Sequence, residues 1–238
     1  MSKNLALIIA GGAGIRMGQD IPKQFLHVYD RPVIIYTLEV FQKHPNIDGI
    51  EIACLPGWHD ILRAYCRQFN ITKLLNIVDG GINGQDSIRN GVFDLEKNFA
   101  PDDIVVIHDA IRPLISEDII SDNIRVCQTY GNAVTVVPCA EAMLLAENAT
   151  CSNGQVPRNL LRKTQTPQSF RLGEFAQVHR DALKNGITAS VASCTLYIEM
   201  GKKMYFSIGS EKNLKLTTVE DIEIFKALLN LRKAEWLK

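Results

Sequence analysis

Short apolar runs alternate along the chain with longer stretches whose hydrophobic positions return every three or four residues. Runs at 5–10, 50–55, 74–78, 104–108, 133–137 and 204–208 predict strands. The Val- and Ile-rich stretch at 104–107 has the character of a strand covered on both faces. Between the runs, helical periodicity predicts helices over 58–69, 85–95, 117–130 and 172–185. Another opens at Pro32 and runs to Phe41, with Val33, Tyr36, Thr37, Val40 and Phe41 tracking one face. Ser116 is placed to cap the helix at 117–130, and Thr217 with Glu220 makes a capping box ahead of a last helix over 219–232. Strand and helix in alternation predict an α/β fold: a doubly wound, mainly parallel sheet joined by right-handed crossovers. A ligand then belongs at the carboxyl ends of the strands, in the loops after Ala10, Val78 and Ile107.

One segment breaks the alternation. Extended stretches at 142–146 and 155–162 flank Ser152-Asn153-Gly154, and Asn-Gly between extended runs signals a hairpin. A hairpin inserted into a doubly wound sheet has no partner in its own subunit. The expectation is a protruding arm at about 139–165 that exchanges with a second copy, giving a homodimer. Without repeats, low-complexity tracts or a linker, 1–238 reads as one domain carrying that arm.

Composition narrows the function. Twenty-six Lys and Arg balance 26 Asp and Glu, so there is no basic excess for a wide nucleic-acid footprint, and no nucleic-acid partner is expected. The apolar run at 5–10 is too short for a membrane span or the core of a signal peptide. The expectation is a cytoplasmic protein without a membrane partner. Its six scattered cysteines, with no C-x-x-C pair, read as reduced thiols. The five histidines lack metal-site spacing and His108 reads as structural, while Trp58 and Trp236 are too far apart for a base-stacking platform.

Chemistry concentrates first in Ala10-Gly11-Gly12-Ala13-Gly14-Ile15-Arg16-Met17-Gly18, directly after the first strand. Glycines let successive main-chain N–H groups converge on an anion. No Gly-Lys-Ser/Thr follows, so this is not a P-loop. Met17 stands where a dinucleotide fingerprint needs its third glycine, which weighs against a nicotinamide-dependent oxidoreductase. Arg16 and, in Ile21-Pro22-Lys23-Gln24-Phe25-Leu26, Lys23 add two cations that suit a polyphosphate. The alternative is a glycine-rich turn with two solvated cations.

Gly-Gly-x-Gly-x-Arg-Met-Gly followed by Pro-Lys-Gln-Phe-Leu resembles the CTP-dependent sugar- and alditol-phosphate cytidylyltransferases, and the resemblance runs the length of the chain. Gly80-Gly81 with Asp86-Ser87 matches the family's cytosine-side loop, and His108-Asp109-Ala110-Ile111-Arg112-Pro113 its His-Asp-Ala-x-Arg-Pro signature. Thr164-Gln165-Thr166-Pro167-Gln168-Ser169-Phe170 matches its Thr-Pro-Gln segment and Asn213-Leu214-Lys215-Leu216-Thr217-Thr218 its Asn-x-Lys-x-Thr. The resemblance implies a Rossmann-like nucleotidyltransferase that moves CMP from CTP to an alditol phosphate and releases pyrophosphate. D-ribitol 5-phosphate is the first acceptor, for surface-polymer synthesis; the alternative is 2-C-methyl-D-erythritol 4-phosphate, for isoprenoid precursors.

By the same resemblance Arg16, Lys23 and Lys215 carry catalysis. CTP is bound by Ala10, Gly11, Gly12, Ala13, Gly14, Arg16, Lys23, Gly81, Ser87 and Ala110. The acceptor is bound by Asp109, Arg112, Thr166 and the arm residue Arg158, which reaches into the neighbouring subunit. Mg²⁺ is the implied cofactor, held mainly through phosphate oxygens with Asp109 close by. Without the resemblance, Asp109 and Arg112 read equally well as a turn aspartate and an ion-pair arginine, and Arg158 as an exposed hairpin residue. The chain departs from the family pattern at several positions. Gly11 follows the ribitol type where methylerythritol-phosphate enzymes carry Ala; Glu141-Ala142 replaces Asp-Thr, Gly84 an Arg, and Ala192 an acidic residue. Ala142 and Ala192 motivate a reading from another class, a CTP-binding regulatory protein without turnover.

Overall fold

Successive residues of β1 (Asn4–Ala10) face opposite sides of the sheet, and both sides are apolar. Leu5 and Leu7 are fully buried in one cluster, Ala6 and Ile8 in the other. A strand covered in this way belongs in the middle of a two-sided sheet. The computed structural model, which describes residues 2–12 and 21–235 with side chains as far as 231, places it there. On one side of β1 lie β4 (Gly49–Cys54) and then β5 (Leu74–Asp79). On the other lie β6 (Ile104–Asp109), β10 (Arg162–Arg171), β7 (Asn132–Pro138) and β11 (Phe206–Ile208), in that order. All neighbours are parallel except β10, which runs antiparallel to both β6 and β7. The order reverses between β1 and β6, so the loops after Ala10 and Asp109 flank the crevice where a doubly wound sheet holds its ligand.

Helices cover both faces. α1 (Val33–Lys43), α2 (His59–Gln68) and α4 (Glu117–Tyr130) pack on one side through Leu38, Phe41, Leu62 and Ile120. α3 (Gly84–Leu95), α5 (Leu172–Lys184) and α6 (Ser193–Glu199) pack on the other, where the Phe170 and Phe175 rings stack 4.0 Å apart. α7 (Val219–Glu235) buries Phe225 edge-on against Tyr36 in a smaller cluster with Leu216 and Ile111. A two-residue pair, β2 (His27–Val28) with β3 (Arg31–Pro32), leads into α1. The six expected strands and six expected helices fall where the hydrophobic pattern puts them, to within three residues.

Four details differ. β10 is the principal one: its sequence is polar and contains Pro167, both arguments against a central strand. The ladder with β7 shifts register between Gln165 and Gln168, which leaves Pro167 out of the pairing, and the Thr166–Pro167 peptide is cis. Its buried polar side chains are paired. Asn123 of α4 accepts from Ser169 Oγ and donates to Ser207 Oγ (2.7 Å) and to the Pro167 carbonyl (3.1 Å). The short α6 also escapes the periodicity. The cap of α7 is displaced by one residue: Thr218 N–H donates to Asp221 Oδ2 (2.8 Å) and Asp221 N–H to Thr218 Oγ1 (3.4 Å), in place of a Thr217–Glu220 box. Ser116 occupies its cap position without a capping hydrogen bond.

The hairpin is the fourth. β8 (Met143–Leu145) pairs with β9 (Gly154–Val156), so the connection spans 146–153 and Gly154 already lies opposite Leu145 instead of closing a two-residue turn. The main sheet resumes at Arg162, opposite Pro138, which confines the projecting segment to 139–161.

Removing the Asn123 amide leaves the Ser169 hydroxyl and the Pro167 carbonyl buried without that partner. Asn123→Ala is expected to lower stability by about 2–4 kcal/mol. Chemical denaturation checks this; a loss below about 0.5 kcal/mol would contradict it.

Candidate active site

The loop after β1 is held from behind. Gln24, buried on a short 3-10 turn at Lys23–Phe25, donates to the carbonyls of Ala10 (2.8 Å) and Gly12 (3.0 Å). Phe25 anchors that turn by stacking on Trp58 at 4.6 Å, which makes Trp58 a packing residue. The loop then presses against the one after β5. A Cβ on Gly11 would sit 2.8 Å from Ser87 Oγ and 3.2 Å from Gly80 Cα, and a Cβ on Gly80 only 2.8 Å from Gly11 Cα. Backbone meets backbone at Gly80, which leaves no room for a side chain there, whereas one on Gly11 would need Ser87 to give way. Ser87, in the first turn of α3, accepts from Gly81 N–H (3.0 Å) and donates to the Asn83 carbonyl (2.9 Å). Asn83 caps α3 by accepting from Asp86 N–H (2.9 Å).

These loops line a hollow of about 320 Å³ that brings together Ala10, Gly11, Gly12, Lys23, Gly81, Ser87, Asp109 and Lys215. A second hollow, of about 250 Å³, lies beside it between α3, β10 and the 190–196 segment. Arg112, Thr166 and Ala192 line this one, and Asp109 and Lys215 line both. Gln85 pins its outer wall, accepting from Ser190 N–H (2.6 Å) and donating to the Ile187 carbonyl (3.0 Å).

Asp109 is the junction. Its Oδ2 accepts from Arg112 Nε at 3.0 Å and its Oδ1 from Lys215 Nζ at 3.1 Å. Burial pushes its pKa up, but the Lys215 and Arg112 cations outweigh that and hold the carboxyl below its usual range. Lys215 is carried on a strap pinned at two points: Leu216 N–H donates to the Ile111 carbonyl (2.9 Å), and Asn213 Nδ2 to the Thr166 carbonyl (2.8 Å). Arg112 Nη1 donates to the Asn213 carbonyl at 2.7 Å.

His108 works from beneath. Burial drives its pKa down to about 4, so the ring is neutral at pH 7. Its Nε2 lies 3.2 Å from the Arg112 carbonyl, which can only accept, so Nε2 carries the proton. Nδ1 therefore accepts from the Thr166 hydroxyl (3.0 Å), whose oxygen accepts Asp109 N–H (3.1 Å). His108 thus orients Thr166.

Other expected site residues lie elsewhere. Ala110 is fully buried and lines neither hollow; its N–H donates to the Ile9 carbonyl (3.0 Å) and its carbonyl accepts from Thr37 Oγ1 (2.8 Å), so its main chain joins strand ends. Arg158 is exposed on the arm, where Nη1 donates to the Ala140 carbonyl (3.2 Å), and it lines neither hollow. Ala13, Gly14 and Arg16 lie outside the described residues. Among the described residues no group of three or more His, Cys, Asp or Glu side chains could hold a metal, and no helix is long and apolar enough to cross a membrane. Sequence reasoning did not assign Gln24, although it stands inside the matched Pro-Lys-Gln-Phe segment. Nor did it assign Asn213, which opens the matched Asn-x-Lys-x-Thr segment, and it had no signal for Gln85.

A glycine-lined, lysine-flanked hollow that shares a carboxylate and an amine with a second hollow suits group transfer between two anionic substrates. The family described as IspD, 2-C-methyl-D-erythritol 4-phosphate cytidylyltransferase, matches residues 5–231. The chain belongs to this family of cytidylyltransferases, which are nucleotidyltransferases. It is 43% identical over 226 residues to the ribitol-5-phosphate cytidylyltransferase of Lacticaseibacillus paracasei, covering 94% of this chain and 97% of the relative. The enzyme of the same name from Vibrio parahaemolyticus is 40% identical, covering 97% of each chain. The 2-C-methyl-D-erythritol 4-phosphate cytidylyltransferase of Clostridium botulinum is 34% identical, covering 96% and 98%. The crystal structure of the Francisella tularensis 2-C-methyl-D-erythritol 4-phosphate cytidylyltransferase superposes with a TM-score of 0.80 at 25% identity, covering 94% of this chain and 98% of that one.

The neutral His108 has a pH signature. Its folded pKa of about 4 lies below the ordinary value of 6.5, so between the two the unfolded chain binds more protons. Its contribution to stability is complete above pH 6.5 and is lost as pH falls toward 4. Glu51, whose pKa burial raises to about 8, moves the opposite way and cancels when wild type is compared with His108→Asn. The stability lost between pH 7 and pH 5 should be about 2 kcal/mol smaller in the variant. Identical pH dependence in urea denaturation would contradict a buried neutral ring.

Proposed function

We propose that this chain transfers CMP from CTP to D-ribitol 5-phosphate, releasing pyrophosphate and forming CDP-ribitol. The observation that carries this reading is that Asp109 and Lys215 line both hollows, so the transferred phosphate of a nucleotide in one can meet an acceptor phosphate in the other. The choice of acceptor rests on the higher identity to the ribitol-phosphate enzymes and on Gly11, whose contact with Ser87 leaves little room for a side chain.

The triphosphate lies along Gly11, Gly12 and Lys23, and Arg16 is a further proposed phosphate contact. The base meets the loop shaped by Gly81 and Ser87; the Ser87 proton is committed to Asn83, so Ser87 fixes the loop and the main chain reads the pyrimidine. The acceptor's phosphate oxygen attacks the α-phosphorus in line, a P–O bond forms, the bond to the bridging oxygen breaks, and pyrophosphate leaves. Positioning and positive charge do most of the work in such a transfer. Lys215 gains as charge builds on the α-phosphate oxygens, and Asp109 and Arg112 hold it and the acceptor's hydroxyls in place.

Magnesium is the proposed cofactor. Asp109 is the one carboxylate lining the nucleotide hollow among the described residues, and both its oxygens already face cations. That donor set suits a magnesium ion that arrives on phosphate oxygens and takes at most one protein carboxylate; it does not suit a metal caged by protein. When bound, such an ion neutralises charge on the phosphates.

The 139–161 arm is proposed to exchange between two copies in a homodimer. Leu144, Leu145 and Leu160 are well exposed there, on a hairpin too small to carry a core. Arg158 would then reach the partner's acceptor site.

Pyrophosphate release with CTP and Mg²⁺ is expected with ribitol 5-phosphate. Preference for 2-C-methyl-D-erythritol 4-phosphate would overturn the acceptor, and CTP binding without turnover on either would favour a regulatory protein. Lys215→Ala should lower kcat about 10²–10³-fold while CTP affinity changes less than about threefold; equal losses in both would contradict a transition-state role. Mixed Arg158→Ala and Lys215→Ala proteins should regain about a quarter of wild-type activity, since half the dimers are mixed and each of those has one intact site. No regain would remove the shared site.

A further inference from the structure

The chain holds four Asn-Gly pairs, at 83–84, 90–91, 153–154 and 185–186. An asparagine side chain can be attacked by the main-chain nitrogen of the residue that follows. Glycine in that place puts no Cβ beside the nitrogen and leaves the backbone free to reach. Whether a pair reacts then depends on how firmly the fold holds it. Asn83 is held at both ends of its amide: Oδ1 accepts from Asp86 N–H (2.9 Å) and Nδ2 donates to the Thr188 carbonyl (3.1 Å). Asn90 lies inside α3, where Nδ2 donates to the Asp79 carbonyl (3.0 Å) and Gly91 is packed on Leu7. At the end of α5, Gly186 N–H donates to the Leu183 carbonyl (3.1 Å) and Ile187 N–H to that of Ala182 (2.9 Å), so Asn185 is locked into the helix cap.

Asn153 is held by none of these devices. It is exposed on the loop that joins β8 to β9, and its side chain makes no hydrogen bond among the described residues. Gly154 stands at the last of three paired positions in a two-stranded ribbon that shares no ladder with the main sheet. A ribbon of this size is marginal on its own, and its end opens without disturbing a packed helix. The glycine is not there for its shape. Its φ lies outside the left-handed region, and a Cβ added to it would meet nothing closer than Leu145 Cβ at 3.5 Å, an ordinary contact.

We propose that Asn153, exposed at the open end of the arm ribbon and followed by Gly154, is a site of spontaneous deamidation. The Gly154 nitrogen, losing its proton to hydroxide, attacks Asn153 Cγ. A C–N bond forms, the bond to the side-chain nitrogen breaks, and ammonia leaves with a proton from water. Water then opens the cyclic imide. Opening at Cγ gives aspartate on the original main chain; opening at the main-chain carbonyl gives isoaspartate, with the chain running through the side chain. One amide and one water become one carboxylic acid and one ammonia, and nothing is oxidised or reduced. Each event adds a carboxylate to a chain whose 26 basic and 26 acidic side chains otherwise balance. The change falls where the arm reverses, and isoaspartate inserts a main-chain carbon beside the position at which Gly154 faces Leu145. It requires neither the proposed acceptor nor turnover.

The test is incubation of the full chain in mildly alkaline buffer, followed by peptide mapping of all four pairs by mass spectrometry. Asn153 should convert at least about tenfold faster than Asn83, Asn90 and Asn185, with isoaspartate among its products. An acidic band should grow on isoelectric focusing at the same rate. Gly154→Ala should slow the conversion at least about tenfold and leave Tm unchanged. In urea the other three pairs should rise toward the Asn153 rate, because their protection comes from the fold. A native Asn153 rate no higher than that of Asn185 would overturn the proposal, and a second copy seated over the arm's tip would produce that result. Equal conversion in wild type and Gly154→Ala would also overturn it. A gap of undiminished size in urea would assign the selectivity to local sequence and overturn the argument from the fold.

Discussion

A carboxylate held between two cations at the end of a buried strand organises this molecule's chemistry. Asp109 would be costly to bury alone, and Arg112 and Lys215 offset that cost through hydrogen-bonded contacts at 3.0 and 3.1 Å. The two cations arrive by different routes. Arg112 comes three residues later on the same loop, whereas Lys215 is brought from more than a hundred residues away on a strap tied to Ile111 and to β10. The trio carries one net positive charge, a resting state suited to anionic substrates. It sits where the strand order reverses, so the fold supplies the opening and the ion pairs supply its polarity.

Around that junction the main chain is packed tightly. The glycine loop after β1 and the one after β5 touch at Gly11 and Gly80, with Gln24 fastening one and Ser87 the other. Such contacts preorganise main-chain groups, which matters for a reaction whose catalysis is mostly positioning. The second hollow is built differently, from apolar walls with a few polar groups. That is the usual make-up of a site that orients a small organic molecule.

Much of this was legible in the residues. The continuous apolar runs of β1 and β6 and the helical faces read directly as a doubly wound sheet, and the glycines with Lys23 pointed to a phosphate site. β10 was illegible because three of its buried positions are Gln165, Gln168 and Ser169, which are satisfied only by tertiary partners such as Asn123 and the Cys194 amide. Pro167 reinforced the error, since nothing local announces the register shift that accommodates it. The α7 cap slipped by one because Asp221 competes with Glu220 for the same threonines. The main-chain bonds by which Ala110 joins strand ends were not visible in its motif, which fixes spacing but not which way each residue faces. Arg158 lines neither hollow of its own chain, and its proposed role needs a second copy.

The central claim is that Asp109 and Lys215 act as one unit where the two substrates meet. A double-mutant cycle on pyrophosphate release, using Asp109→Asn, Lys215→Met and the double variant, tests this most directly. The account predicts strongly non-additive losses, with the double variant little slower than the worse single one, because either change dismantles the same junction. Losses in log kcat that simply add would mean that the two residues act independently, and would contradict it.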